Sequence, residues 1–264
     1  MKVIPLGTNG FFPSFGRATA CYAIPLKDKL IILDAGSGLF RLAEQEGKEL
    51  LRGKKEVHLY LSHYHLDHTF GFYAAFKLLK GKKVTVLAES GRQVFWEFVT
   101  MKHFPINYSK VHKNFSWQAI SEGNHKISSY QVSVRKQDHR GEGSLAFRFS
   151  FQERSALGRK FELAYVTDSE PTKESIEFVR GVPLLLHEHG FVGKTNIKLN
   201  KQIIDGHVTT IGATLLAKEA KVGKLALIHH YPFADDKKLA SQLKIARSIF
   251  PKTILAKDLE MINF

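Results

Sequence analysis

The segment Ser62–His68 constrains this chain more than any other, because three histidines and an aspartate occupy six consecutive positions in it. It reads SHYHLDH and directly follows the apolar run Val57–Leu61. At an extended strand end, His63 and His65 point their side chains the same way. The aspartate and last histidine come where the pattern predicts a helix beginning near Thr69. Imidazole nitrogens and carboxylate oxygens are the ligands that zinc prefers, so the segment predicts a metal site and not merely a polar loop.

Length and composition are those of one sizeable folded domain. The chain has 264 residues, 44% of them hydrophobic and 24% charged, which excludes global disorder. Because there is no convincing linker, we expect residues 1–264 to form a single domain. One cysteine, Cys21, excludes an internal disulfide and a cysteine-based metal site. Met1–Gly7 is too short for a signal peptide and no apolar run could span a membrane, so we expect a cytoplasmic protein with no membrane partner.

The charge is strongly positive. Lysine and arginine number 39 against 25 acidic residues, which gives a formal net charge of +14 and a pI near 9.7. Such a field attracts polyanions, although scattered surface lysines in a basic proteome would give the same balance. The charge therefore favours an anionic phosphate ester as substrate without specifying nucleic acid.

Strand-like and helix-like segments alternate along the chain. A helix is predicted over Leu39–Glu46, and a second, Phe70–Leu79, follows the histidine-rich segment. Further on, Lys126–Arg135 and Leu145–Phe151 alternate polar and apolar residues, as half-buried antiparallel strands do. Shorter apolar strands and three more helices follow. This order predicts an α/β fold, a four-layer αββα sandwich of two mixed β-sheets flanked by helices.

The stretch of about residues 91–125 is rich in aromatic side chains and is irregular over Met101–Asn124. We interpret it as an insertion. It could form a lid over the site on which a nucleobase stacks, or a satellite core of its own, and the sequence leaves both open.

Three polar residues in the second half each follow a predicted strand. His139, Asp168 and His229 lie where an apolar or alternating run gives way to a loop. Such strand ends are where α/β folds commonly build their sites. Each residue is a weak signal alone, but together with the histidine-rich segment they form a candidate ligand set.

With these residues in order, the chain resembles the metallo-β-lactamase fold superfamily. The resemblance covers nearly the whole chain, including Leu6–Thr8, Asp34–Gly36 and Gly206–Thr209. It implies two divalent metal ions, for which zinc fits the ligands best and manganese or iron stays open. The implied ligands are His63, His65 and His139 for one ion, Asp67, His68 and His229 for the other, and Asp168 as the bridge.

Neighbouring residues receive supporting roles from the same resemblance. The superfamily usually shows an aliphatic strand, then the ligand, then a short aromatic–proline step. The run Ile228–Pro232 fits this pattern with His229 as the ligand, which makes His230 its neighbour. Asp34 is expected to order the metal loops through hydrogen bonds. Glu188, at another strand end, is expected close to the site behind the ligands.

The implied chemistry is attack on phosphorus by a hydroxide that bridges the two metals. Asp67 would ligate a metal and orient that hydroxide. His207 matches the histidine that phosphodiesterase branches of the superfamily place against the scissile phosphate. The alternative is that His207 is incidental and that Thr209 simply caps the following helix.

The branch of the superfamily is less constrained. Gly206–Thr209 and the positive charge favour phosphodiesterases, the relatives of ribonuclease Z and of cyclic phosphodiesterases. Gly36–Phe40 and His229–Pro232 depart from the pattern of ribonuclease Z itself, so a small phosphodiesterase is favoured over a tRNA-processing nuclease. The expected substrate is a nucleotide, a cyclic phosphodiester or RNA. Hydrolysis of a thioester, lactam or lactone, a non-catalytic metal-binding scaffold and a di-iron redox protein are the alternatives, and a homodimer is left open.

Overall fold

The computed structural model describes residues 1–90, 114–152, 160–194 and 197–264. Two seven-stranded sheets within these ranges face each other. The first sheet has the strand order β16-β1-β2-β3-β4-β5-β6. Its strands are β1 (Lys2–Gly7), β2 (Cys21–Pro25), β3 (Lys29–Leu33), β4 (Glu56–Tyr60), β5 (Lys83–Ala88), β6 (Phe115–Ala119) and β16 (Ile262–Asn263).

The second sheet has the strand order β15-β14-β11-β10-β9-β8-β7. Its strands are β7 (Gly123–Ile127), β8 (Tyr130–Gln137), β9 (Ser144–Gln152), β10 (Lys160–Val166), β11 (Leu184–Glu188), β14 (Leu225–Ile228) and β15 (Thr253–Leu255). A separate short hairpin pairs β12 (Ile203–Ile204) with β13 (His207–Val208). Both large sheets are mixed, since β3 to β6 and β10, β11, β14 and β15 are parallel and the remaining pairings are antiparallel.

Helices cover the outer face of each sheet. Those on the first sheet are a 3-10 helix (Ser37–Ala43), α1 (Gln45–Leu51), α2 (Leu66–Thr69) and α3 (Phe72–Leu78). Those on the second sheet are α4 (Lys173–Val179), α5 (Thr210–Glu219) and α6 (Asp236–Ile249), and a 3-10 turn spans Leu199–Lys201. The predicted four-layer sandwich is confirmed.

Three apolar cores separate the four layers. In β3, Ile31 and Leu33 join the core between the two sheets, whereas Leu30 and Ile32 pack under the helices of the first sheet. A third core lies between the second sheet and its helices. Because strands such as β3 are buried on both faces, they read as continuous apolar runs in the sequence.

Local boundaries differ from the sequence expectation in three places. The single strand predicted over 126–135 is a hairpin of β7 and β8, because Ser128 turns the chain in the left-handed region at φ 56°. The helix predicted over 39–46 is the 3-10 helix followed by α1. The helix predicted near Thr69 begins at Leu66 and breaks at Gly71, whose N–H donates to the carbonyl of Ala35 at 2.7 Å.

Part of the expected aromatic insertion belongs to the first sheet. Residues 115–119 form β6, which is parallel to β5, and Trp117 packs 5.7 Å from the ring of Phe72. Residues 91–113 lie outside the described ranges, and so does most of the proposed lid.

The strand ends converge on one side of the sandwich. The segments after β3 and β4 in the first sheet meet those after β10, β11 and β14 in the second, as expected at the carboxyl ends of parallel strands. In the part of the chain that the structure describes, no helix is long and apolar enough to cross a membrane.

Candidate metal centre

The first predicted ligand group is brought together by the structure. His63, His65 and His139 offer ring nitrogens within 4.8 Å of one another. His63 and His65 leave the end of β4, and His139 follows β8 in the opposite sheet. The group therefore bridges the two sheets, which explains why His139 lies beside histidines that are 74 and 76 positions earlier in the sequence.

The second group lies beside the first. The His229 Nε2 atom is 3.1 Å from His68 Nε2 and 3.2 Å from Asp67 Oδ2. The Oδ2 atom of Asp168 is 3.1 Å from His68 Nε2, and its Oδ1 atom is 3.8 Å from His139 Nε2. The carboxylate of Asp168 thus lies between the two groups, in the position expected of a bridging ligand.

Protein acceptors fix the tautomers of four of these imidazoles. The Nδ1–H groups of His63, His68 and His139 donate to Ser62 Oγ, to Asp34 Oδ2 and to the Gly206 carbonyl at 3.0, 2.8 and 3.1 Å. Each of these rings therefore keeps the lone pair of Nε2 for the cluster. In His65 the arrangement is reversed, since Nε2 donates to Glu142 Oε2 at 2.8 Å and the lone pair of Nδ1 is kept for the cluster. Such outer partners orient the ligands of metal sites.

Two observations indicate that these donors fit a pair of metal ions. Among the described residues, nothing bonds to the buried Nε2 atom of His63, and an unpaired buried nitrogen is costly. The Nε2 atom of His68 faces carboxylate oxygens of Asp67 and Asp168 at 3.3 and 3.1 Å. Burial opposes a charge on His68, but these carboxylates raise its pKa well above the ordinary value. The same negative field favours a divalent cation at this point.

The carboxylate of Asp34 holds the segment Ser62–His68 in place through hydrogen bonds. It accepts hydrogen bonds from the backbone N–H and hydroxyl of Ser62 at 2.7 and 2.8 Å, and from His68 Nδ1 at 2.8 Å. A fourth donor is the hydroxyl of Tyr165, at 2.5 Å, from the second sheet. Asp34 therefore has the ordering position expected of it and does not contact the open cluster.

Backbone strain accompanies the site. Asp34, Asp168 and His229 each follow a strand and have φ of 58°, 47° and 53°. This left-handed region is sparsely populated by non-glycine residues and costs about 1–3 kcal/mol in strained sites. The turn directs Asp168 and His229 into the cluster and Asp34 against Ser62 and the Nδ1 atom of His68.

His207 lies on the open side of the cluster, next to the bridging carboxylate. Its Nδ1 atom is 2.8 Å from Glu188 Oε2 and 3.5 Å from Asp168 Oδ1. Glu188 is itself fixed by the backbone N–H of Ser169, which donates to Oε1 at 2.6 Å. Burial disfavours the charged ring, but Glu188 beside it raises the pKa of His207 to about 9. Thr209 caps α5 by accepting from Gly212 N, so the cap does not involve His207.

The structure places His229 in the cluster and His230 outside it. His230 points away from the cluster, where its Nδ1 atom accepts from His189 Nε2 at 2.8 Å and its Nε2 atom donates to the Ala256 carbonyl at 2.8 Å. Burial lowers the pKa of His230 to about 4, so its ring is neutral. Both ring nitrogens of His230 are thus engaged by His189 and Ala256.

Sequence reasoning missed four neighbours of the ligands. Besides Tyr165 and Glu142, the N–H of Phe11 donates to Asp67 Oδ2 at 2.7 Å. Gly10 packs so closely on His229 that a Cβ atom at position 10 would lie 2.3 Å from the ring. For Gly10 and Phe11, the signal available in the sequence was a glycine followed by an aromatic residue shortly after β1. Tyr165 gave no such signal, because in the sequence it looks like any buried strand residue.

The fold and the cluster of histidines and aspartates define a class of protein: a metallo-β-lactamase fold with a centre that could hold divalent metal. Residues 29–230 match the family model described as "Beta-lactamase superfamily domain". The chain belongs to this superfamily.

Comparison with known proteins agrees with this assignment. A ribonuclease Z of Saccharolobus islandicus is 26% identical, with 100% of this chain and 99% of the relative covered. The metallo-β-lactamase fold protein YhfI of Bacillus subtilis superimposes with a TM-score of 0.72 at 22% identity, covering 99% of both chains. Human tRNase Z, short form, gives a TM-score of 0.68 at 16% identity, covering 100% of this chain and 99% of the other.

Proposed function

We propose that this protein is a dinuclear metal-dependent phosphodiesterase acting on a nucleotide, a cyclic phosphodiester or RNA. The observation that carries the proposal is the convergence of two nitrogen–oxygen ligand groups on Asp168, with the ring of His207 on their open side. A single structural ion would need only one closed group. Two adjacent groups with an open side are typical of hydrolytic sites.

The donor set supports zinc as the metal. His63, His65 and His139 would hold one ion, while Asp67, His68 and His229 would hold the second, with Asp168 shared. Imidazole and carboxylate suit zinc, and manganese or iron are the alternatives that metal analysis distinguishes. When bound, two such ions would neutralise charge on a phosphodiester and lower the pKa of a water molecule between them.

His207 is proposed as the proton donor. Its Nδ1–H is held by Glu188, so Nε2–H is the donor left for substrate, and 24% of the side chain is exposed on the open side. A leaving alkoxide needs a proton, and an imidazolium held next to the cluster can supply one. Glu188 acts here by orienting the ring and keeping it charged.

Asp67 is proposed to orient the nucleophile as well as to bind metal. Its Oδ2 atom is fixed by Phe11 N–H, and burial raises its pKa less than His68 and His229 lower it. The group therefore stays ionised and accepts hydrogen bonds. An ionised carboxylate in a fixed position can hold an attacking water in line with phosphorus.

The substrate class follows from the relatives and the charge. Curated relatives named ribonuclease Z cover the whole chain, which supports an RNA phosphodiester, and the net charge of +14 favours any polyanion. The departures at Gly36–Phe40 and His229–Pro232 still favour a small diester over precursor tRNA. We propose a cytoplasmic location, and sedimentation measurements will decide between a monomer and a homodimer.

The test is turnover of bis(p-nitrophenyl) phosphate and of precursor tRNA by protein whose metal content has been analysed. A thioester and a β-lactam are assayed beside them. We expect diester hydrolysis that rises with the second bound metal and is abolished, with reduced metal content, in His65→Ala and Asp168→Ala. His125→Ala, a histidine outside the cluster, is the matched control and should retain both. Fully metallated protein that ignores every diester but cleaves the thioester or lactam would overturn the proposal.

A further inference from the structure

Exposed aromatic side chains line one edge of the metal centre. Phe11 and Phe233 are 74% and 62% exposed, which is unusual for phenylalanine. Phe12 joins them, with ring centroids 5.4 Å from Phe11 and 5.2 Å from Phe233, and Tyr231 lies 5.4 Å from Phe233. We call this set, Phe11, Phe12, Tyr231 and Phe233, the aromatic edge.

The aromatic edge is attached directly to the candidate ligands. The backbone N–H of Phe11 donates to the carboxylate of Asp67, and Gly10 packs against the ring of His229. Tyr231 and Phe233 follow His229 by two and four residues. The aromatic edge is therefore joined to Asp67 by a hydrogen bond and to His229 by packing and by the chain itself.

The segments that carry the edge are rigid. Asn9 Nδ2 donates to Ser14 Oγ at 2.9 Å, and Ser14 Oγ donates to the Pro232 carbonyl at 2.5 Å, which joins the two segments. Arg17 Nε donates to Asn9 Oδ1 at 2.8 Å from behind. Because hydrogen bonds hold the two backbone segments together, presenting their rings to a base costs less conformational entropy than it would on an unbonded loop.

Backbone strain at the edge is a second, independent observation. Phe11 has φ of 61°, a left-handed conformation that is a genuine outlier for a bulky residue. The strain is held by the hydrogen bond to Asp67 and turns the ring out to solvent, where burial contributes nothing. Strain that exposes an apolar ring beside a reactive centre is typical of a binding feature.

From these observations we infer that the aromatic edge stacks a nucleobase of the substrate, so that the enzyme prefers phosphodiesters carrying a base next to the scissile phosphate. This inference rests on the proposed function. The Lys238 ammonium, 5.4 Å from the ring centre of Tyr231, adds a positive charge suited to a neighbouring phosphate. A flat nucleobase matches the exposed rings, and an anionic phosphate backbone matches the lysine. Proteins bind single-stranded nucleic acid by this combination of aromatic stacking and nearby cations.

The test compares two substrates with the same leaving group. We would measure kcat/KM for thymidine 5′-(p-nitrophenyl phosphate) and for methyl p-nitrophenyl phosphate, using zinc-loaded wild type, Phe233→Ala, Phe233→Trp and Met261→Ala. We expect wild type to prefer the thymidine ester. That preference should fall about 5- to 100-fold in Phe233→Ala, return in Phe233→Trp, and stay unchanged in Met261→Ala, an exposed apolar residue directly before β16.

Other outcomes separate failure of the inference from failure of the proposed function. Wild type that cleaves both esters equally well overturns the stacking inference and leaves the phosphodiesterase intact. If neither ester is cleaved, the proposed function fails. Calorimetry then tests stacking alone, by comparing the binding of thymidine 5′-monophosphate to wild type and to Phe233→Ala. Phe233→Ala could instead abolish self-association or binding to another protein and leave the ester preference unchanged. That result would make the aromatic edge a protein contact and refute the inference.

Discussion

Replacing Asp34 by asparagine should weaken the second metal position while leaving the first nearly intact. The carboxylate accepts four hydrogen bonds, three of them at Oδ2. In asparagine, the NH₂ group of the amide would replace Oδ2. Its hydrogens would then face three groups that are themselves hydrogen-bond donors. The hydroxyls of Ser62 and Tyr165 can rotate to accept, but Nδ1 of His68 can accept only if its proton moves to Nε2.

That tautomer shift is the physical basis of the expected effect. A proton on His68 Nε2 occupies the lone pair that faces Asp67 and Asp168, so the second group loses a ligand. Losing an outer partner of this kind costs about 10- to 100-fold in metal affinity, or about 1.4–2.7 kcal/mol. The variant should also lose about 1.5–3 kcal/mol of unfolding free energy, since one hydrogen bond to a charged group is removed.

Competition between the protein and a chromophoric chelator for zinc measures the two affinities separately. Asp258→Asn is the matched control, because this aspartate accepts from Thr8, Ala18 and Arg41 away from the cluster. The control should lose stability but bind two zinc ions as tightly as wild type. Wild-type affinity at both positions in Asp34→Asn, or an equal loss in the control, would refute the reasoning.

Three further predictions follow from the same geometry. His207→Ala should lower kcat about 10²- to 10⁴-fold while metal analysis still finds two ions, and loss of metal would contradict its role as proton donor. Gly10→Ala should displace the ring of His229 and lower kcat/KM about 10²-fold, whereas Gly190→Ala, whose new methyl group would lie 4.0 Å from the nearest atom, should not; equal kinetics in both would refute the packing argument. Zinc at a hundred times its Kd should raise the unfolding free energy by about 2.7 kcal/mol per site. The melting temperature should rise with zinc and fall again when EDTA is added. A melting temperature that changes with neither addition would exclude a specific site.

The sequence predicted the layers, and the residues that cluster between the sheets, for a physical reason. Strands buried on both faces, such as β3, give unbroken apolar runs, and ligand side chains stand where those runs end. The segment Ser62–His68 carries four donors within one strand end and one helical turn, so local geometry alone brings them together. The ends of later predicted strands then indicated the distant partners, His139 and His229 among them, and the superfamily resemblance divided the set between two metal ions.

Other features depend on contacts that no local pattern encodes. Tyr165 reaches Asp34 across 131 sequence positions and two sheets. The hairpin of β7 and β8 was missed because its turn uses serine at φ 56° and not glycine or asparagine. Likewise, the left-handed turn at His229 separates it from His230, although the two histidines are chemically identical in the sequence.

The most direct test of the central claim is an anomalous-scattering measurement at the zinc edge on crystals of zinc-loaded protein. We predict two peaks in each chain, one among His63, His65 and His139 and one among Asp67, His68 and His229, with Asp168 contacting both. A single peak, or none within reach of Asp168 in protein saturated with zinc, would contradict the dinuclear centre.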